Sequence, residues 1–160
     1  MSTTTNNVVL NISTKKDYTI NGDKTKIIKL NPNDMHILSR LEEVIPKLNS
    51  MEEKYSNLFT TDTEQTEDKF QEFTSRFKEL DTEMREIVNY LFDYDICGVC
   101  ADGGSMFDLQ DGEYRYVVIV NTLLTLYEDT ITAETNKMLN KMKKKVEKYT
   151  NRDHKRKGSK

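Results

Sequence analysis

The chain predicts a mainly α-helical fold: three long helices, packed as a helical bundle or a coiled-coil-like hairpin, preceded by a small N-terminal β-hairpin. Three observations carry this reading. Phe70, Phe73, Phe77, Leu80, Met84, Ile87 and Leu91 recur in alternating steps of three and four, which holds one narrow apolar stripe along about six helical turns. Asn21-Gly22 separates two extended apolar runs, and both residues tolerate the positive φ that a tight hairpin turn demands. Hydrophobic content of 36% against 32% charged residues favours long solvated helices, in which surface dominates. At 160 residues the chain is sized for one domain with a modest core.

The elements follow in order. Residues 1–7 hold nothing to bury and are expected to be a disordered N-terminus. Residues 8–30 read as a β-hairpin or three-stranded flap, from Val8, Val9, Leu10 and Ile12 through Tyr18 to Ile20 and Lys26 to Leu30. Its alternation is poor, so one face must be covered by a helix or another subunit. A helical domain then spans 31–149. Asn31 reads as the first N-cap, with Pro32 at the first helical position and Asp34 in the first turn. This helix carries Leu38, Leu41, Ile45, Leu48, Met51, Tyr55 and Leu58 or Phe59 on one face, and Pro46 predicts a kink or break near Glu42 to Pro46. Thr60-Thr61-Asp62-Thr63 ends it and caps the second helix, the Phe70 stripe, which stops near Asp93. The glycine-containing segment Asp95 to Ser105 is a break, and Met106 to Leu109 a short turn. A third helix from about Asp111 to Val146 has the widest apolar face (Tyr116, Ile119, Val120, Leu123, Leu124, Tyr127, Ile131) and is expected to be the most buried. Residues 150–160 form a basic C-terminal tail that frays.

Charge is unevenly distributed. Residues 137–160 hold eleven Lys or Arg against two acids, a net +9, which leaves −12 on the first 136 residues of a chain of net −3. Lys141, Lys144, Lys145 and Lys148 lead into Arg152, Lys155, Arg156 and Lys157, a patch able to touch nucleic acid or an acidic protein. Tyr149 is the sole aromatic among them, so a solvated helix end or an acidic protein partner is favoured over nucleic acid. No membrane is called for: there is no apolar leader segment, and 117–127 is too short and too interrupted to span a bilayer.

Signals for chemistry are weak. Cys97-Gly98-Val99-Cys100 has the spacing of half a zinc site or a thiol redox motif. His36 and His154 are distant, no second Cys pair exists, and no βαβ setting surrounds it, so structural thiols are the better reading. A metal shared between two copies stays open. Asp95, Asp102, Asp108 and Asp111 do not match the twelve-residue calcium loop and read as solvated turn residues. Gly103-Gly104 lacks the Lys-Ser/Thr that follows a phosphate loop. With no hydrolase pattern and no assignable carboxylate pair, the chain reads as a non-enzyme without cofactor or metal.

Tyr18-Thr19-Ile20-Asn21-Gly22-Asp23, the Leu30-Asn31-Pro32 helix start with Leu38 to Leu41, Tyr90-Leu91-Phe92, Met106-Phe107-Asp108 and Lys148-Tyr149-Thr150-Asn151-Arg152 span most of the chain. In this pattern the chain resembles small helical proteins of the virion-structure gene clusters of tailed phages and prophages of Gram-positive bacteria, some described as tail-assembly-chaperone-like. The resemblance implies a phage virion or tail assembly role, chaperone-like or structural. It also implies other phage tail or virion proteins as partners, and action in the cytoplasm of the bacterial host or in the virion. It supplies no catalytic residue. The alternative is a nucleic-acid-binding or host-inhibiting phage protein that uses the basic tail.

Within this frame the Phe70 stripe divides. Leu80, Met84, Ile87 and Leu91 are expected to pack on Tyr116 to Tyr127, whereas Phe70, Phe73 and Phe77 have fewer internal partners. These three phenylalanines are the candidate surface for partner binding or for homo-oligomer formation.

Overall fold

The computed structural model describes residues 8–10, 12–60 and 67–157, with side chains as far as Lys145. The predicted mobile terminus at 1–7 and the capping residues Thr61-Asp62-Thr63 lie outside the described residues. The chain is mainly helical, with three long helices, α1 (His36–Leu58), α2 (Glu67–Phe92) and α5 (Glu128–Lys157), and an N-terminal antiparallel hairpin of β1 (Lys16–Ile20) and β2 (Asp23–Leu30).

The hairpin turns at Asn21 and Gly22, with φ of 54° and 71°, the primed geometry that matches strand twist. Tyr18 pairs with Ile28 and Lys16 with Leu30, and the register shifts between Thr19 and Ile20. Ile28 and Leu30 are buried and alternate with exposed Ile27 and Lys29, so β2 supplies the covered face that a lone hairpin requires. A third strand does not form from the described part of the first apolar run: Val8, Val9, Leu10 and Ile12 lie outside the strands and are exposed. Consecutive apolar residues without alternation offer no single face to a sheet edge.

Helix α1 begins at His36, later than Asn31-Pro32 suggests. Asn31 instead closes a turn, its side chain accepting the Asn33 N–H at 3.0 Å, while the Asp34 carboxylate accepts the His36 N–H at 3.0 Å. The N-cap position, Met35, makes no side-chain cap bond, and Asp34 before it binds the first helical N–H instead. No break occurs at Pro46, which sits inside a continuous helix. Pro46 and Glu42 are both exposed, so the carbonyl that proline leaves without a donor can be met by water. The buried row is Ile37, Val44, Met51 and Leu58, one residue every seven, flanked by half-buried Leu41, Leu48 and Tyr55. Ile45, expected in the core, is 52% exposed, because the stripe that meets α2 runs through its neighbour Val44.

Helices α1 and α2 form the principal interhelical pair. The aliphatic half of α2 (Leu80, Met84, Ile87, Leu91) is buried as expected, but its main partner is α1, with α4 (Arg115–Leu124) a lesser one. Arg40 staples the hairpin's open end: its Nε donates to the Leu91 carbonyl at 2.8 Å and its Nη2 to Asp34 at 2.8 Å.

The glycine-containing break contains a short helix, α3 (Ile96–Cys100), that polar side chains build. Asp95 accepts the Gly98 N–H at 3.0 Å, and the Asn89 amide both accepts from the Cys97 N–H at 2.9 Å and donates to Asp95 at 3.1 Å. A second small hairpin, β3 (Leu109–Gln110) and β4 (Glu113–Tyr114), turns at Asp111 and Gly112, with φ of 53° and 83°. The third helical segment therefore starts at Arg115 rather than Asp111. It is also divided, into α4 (Arg115–Leu124), a 3₁₀ turn (Thr125–Tyr127) and α5. Asp111-Gly112 carries the same turn signal as Asn21-Gly22, and it overrides helix propensity.

Burial divides along the same line. Tyr116, Ile119, Val120, Leu123 and Tyr127 are in the core, whereas every described residue from Thr135 to Lys145 is exposed. The expectation of one deeply buried third helix thus holds for α4 and fails for α5. The backbone stays helical to Lys157, through most of the stretch expected to fray. Among the described residues, every buried side-chain nitrogen or oxygen has a hydrogen-bond partner, as a settled core requires.

Candidate functional site

The α1–α2 hairpin ends in an aromatic cluster built around Tyr55. Its ring stacks on Phe107 at 4.3 Å and 2°, and meets Phe59 at 5.1 Å and Tyr114 at 5.4 Å edge-on. Phe77 lies 6.4 Å from Tyr55 and 6.3 Å from Phe107, while Phe73 meets Phe59 edge-on at 5.5 Å. Offset and edge-on rings of this kind add about 0.5–1.5 kcal/mol per pair beyond their burial.

Exposure rises from Phe77 outward. Phe77 and Phe73 are half-buried on the core, whereas Phe70 is 70% exposed and Phe59 60% exposed. The three phenylalanines singled out in the sequence are thus not equivalent: two belong to the body and Phe70 stands free on its surface. The partner that sequence reasoning missed is Phe59, which helical spacing alone leaves interchangeable with Leu58 as a core residue. Leu58 takes the buried position and turns Phe59 outward.

Behind the cluster, a polar clamp fixes the loop that carries Phe107. One Asp81 carboxylate oxygen accepts the Ser105 hydroxyl at 2.9 Å and the Met106 N–H at 2.7 Å, and the other accepts Arg85 Nε at 3.0 Å. The Arg85 guanidinium also donates to the Gly104 carbonyl, and Arg115 donates to the Ala101 carbonyl. A Cβ at Gly104 would meet the Arg115 guanidinium and the Asp108 carboxylate, so any larger residue there would displace the ends of these two side chains. Tyr116 donates to Glu52 at 2.6 Å, and burial together with that carboxylate pushes its phenol far above the ordinary value. This network holds loop 101–108 on α2 and presents Phe107 to Tyr55.

The two cysteines lie on α3, reduced. Cys97 is buried, with its sulfur 3.7 Å from the Arg85 carbonyl and 3.5 Å from the Met106 sulfur. Burial pushes its thiol from 9.0 up to about 12, and burial also raises Cys100. A thiol held protonated in this way is a poor nucleophile. Among the described residues, no group of three or more His, Cys, Asp or Glu is placed to hold a metal ion. The four aspartates are exposed turn and loop residues, as expected, and three of them also hold local structure. Asp95 caps α3, Asp102 pairs with Lys26 at 2.6 Å, Asp108 accepts the Ser105 N–H at 3.0 Å, and Asp111 sits in the β3–β4 turn.

Two surface pockets are small. One of about 270 Å³ lies where α4 meets α5, lined by Asn121, Leu124, Thr125, Glu128, Ile131 and Thr132. Another of about 180 Å³ lies between α1 and α4, with Glu52 hydrogen-bonded to Tyr116 in its wall.

The basic patch lies on a helix that starts away from the aromatic tip. Tyr127 packs on Phe92 at 6.1 Å and Thr130 donates to the Pro32 carbonyl at 3.0 Å, which places the start of α5 at the hairpin's open end, opposite Phe59 and Phe70. Lys141, Lys144 and Lys145 are exposed along α5. Lys148, Arg152, Lys155, Arg156 and Lys157 follow on its helical backbone, with their side chains outside the described residues. Met138, Leu139 and Met142 are 65%, 49% and 61% exposed on the same helix. Among the described residues, no helix is long and apolar enough to cross a membrane. Compared with protein-family models, curated proteins and solved structures, the chain matches none.

Proposed function

We propose that this chain is a non-enzymatic phage virion or tail assembly protein, chaperone-like or structural, that acts through protein–protein contacts in the host cytoplasm and forms homo-oligomers. The observation that carries the reading is apolar surface left uncovered at both ends of an otherwise settled fold: Phe59 and Phe70 at one, Met138, Leu139 and Met142 at the other. Clustered exposed apolar residues mark surfaces that another protein covers. An exposed helix such as α5 can lay its apolar side into a groove of a tube or tape-measure protein and shield it before assembly. The lysines around that side speed encounter with acidic partners. The sequence resemblance to virion-cluster proteins supports the same reading.

Co-expression with the tail proteins encoded beside it tests this proposal. A co-purifying complex, or a gain in a tail protein's soluble yield, is expected. No complex together with unchanged solubility refutes it.

The second reading is nucleic-acid binding through α5, favoured by exposed Lys141, Lys144 and Lys145. It requires binding that falls steeply with salt and is lost when those lysines become glutamate. Salt-insensitive or absent binding removes it.

A further inference from the structure

We propose that copies of this chain associate head to tail, the exposed stretch of α5 in one copy docking on the α1–α2 hairpin tip of the next. This deepens the assembly reading above, on which it rests, by naming a partner for the exposed tip.

The first observation concerns α5. All described residues from Thr135 to Lys145 are exposed, with Met138, Leu139 and Met142 among them. Met138 and Met142 are one turn apart and Leu139 adjoins them, so the three form one apolar patch. A helix in water without a tertiary partner is marginal, and stability comes from packing such a patch. Its surroundings are one-signed: residues 135–145 carry five Lys and no acid. Two α5 helices laid side by side in the same direction would set these cations against one another.

The second observation concerns the tip. Phe59 and Phe70 are exposed there, and the described residues of the tip, 52–60 and 67–72, carry five acids against two Lys. An apolar patch ringed by lysine thus has a counterpart of opposite charge and matching hydrophobicity on the same molecule. Complementary charge of this kind sets orientation and speeds encounter.

The third observation excludes the chain's own tip as the site. At 1.5 Å rise per residue, Met142 lies about 21 Å along α5 from Glu128, whereas Phe70 lies about 33 Å along α2 from Phe92. Since α5 starts beside Phe92 and Pro32, its apolar patch falls short of the tip of the same copy even if the helix folded back. A second copy has no such limit. Because the two surfaces differ, the contact is heterologous and propagates into a ring or an open filament rather than stopping at a dimer.

Sedimentation velocity on the full chain tests this, with Phe70→Glu as the tip variant and Met138→Glu plus Met142→Glu as the α5 variant. All three positions are exposed, and circular dichroism checks that the fold is kept. The parent is expected to assemble beyond a dimer, with association about tenfold weaker at high salt, where exposed charges are screened. Each variant alone is expected to be monomeric, and an equimolar mixture to stop at a one-to-one dimer, since one copy keeps α5 and the other keeps the tip. As a charge control, Lys141→Glu plus Lys144→Glu should block assembly and Glu67→Lys plus Asp68→Lys in a second copy should restore it.

Three results overturn the proposal: a monomeric parent, a tip variant that assembles as the parent does, or a mixture that stays monomeric. The second would mean that α5 pairs with α5. A monomeric parent that still forms a complex with tail proteins sinks the head-to-tail contact alone. A self-assembling parent that binds no tail protein sinks the assembly function alone.

Discussion

Asp81→Ala is expected to be among the most destabilising single changes outside the apolar core. Its carboxylate is 18% exposed and satisfies three donors: Ser105 Oγ, the Met106 N–H and Arg85 Nε. Met106 is fully buried, so truncation strands its N–H without water, at about 1–3 kcal/mol. Losing the Arg85 pair adds about 0.5 kcal/mol, the scale of a helical pair four residues apart. Ser105 is half-exposed and can turn to water, so its bond adds little. The total is about 1.5–3.5 kcal/mol. With a urea slope near 2 kcal/mol/M, the unfolding midpoint should fall by about 0.8–1.8 M at unchanged slope. Asp81→Asn keeps an acceptor for Met106 and should lose about half as much. Native-state hydrogen exchange at the Met106 amide should accelerate in parallel. A midpoint within about 0.3 M of the parent would refute the claim that this carboxylate holds the Phe107 loop in place.

Other outcomes follow from the same geometry. Phe77→Ala, inside the Tyr55 and Phe107 cluster, should cost about 2 kcal/mol, whereas Phe70→Ala should change stability by less than about 0.5 kcal/mol; equal losses in urea melts would contradict the exposure gradient. Gly98→Ala sets a Cβ against the Asp95 carboxylate that caps α3, so it should cost about 1 kcal/mol, and pairing it with Asp95→Ala should cost less than the sum of the two. The Cys97 thiol titrates higher folded than unfolded, so its contribution is intact below pH 9 and is lost as pH rises from 9 toward about 12. Thermal melts should fall across that window, less steeply in Cys97→Ala. A Cys97 that reacts with a maleimide at pH 8 as fast as a free thiol would contradict its burial.

Periodic and turn-level signals were legible in the sequence. The alternating three-and-four stripe of α2, the Asn21-Gly22 turn and the apolar face of α4 depend on local geometry, and the structure reproduces them. Two boundaries differ from local expectation because one signal competes with another. Asp111-Gly112 forms a turn of the Asn21-Gly22 kind where helix propensity alone extends the third helix back to Asp111. A helix start and an Asx turn share the residues Asn31-Pro32, and the neighbouring Asp34 decides between them.

What the sequence by itself determined is the class of the fold, mainly helical with one hairpin, and the separation of an acidic body from a basic end. Those follow from side-chain periodicity and charge, which need no partner to be read. Tertiary structure alone decided which of two adjacent apolar residues turns inward, Val44 over Ile45 and Leu58 over Phe59, because facing helices select one register from several that periodicity permits. It alone decided that Phe73 and Phe77 join Tyr55 while Phe70 remains outside, and that α5 leaves the core after Ile131. An apolar stripe states that something must cover it. Whether the cover is the same chain or another depends on where the preceding helix ends, and here α4 ends at the far side from the aromatic tip.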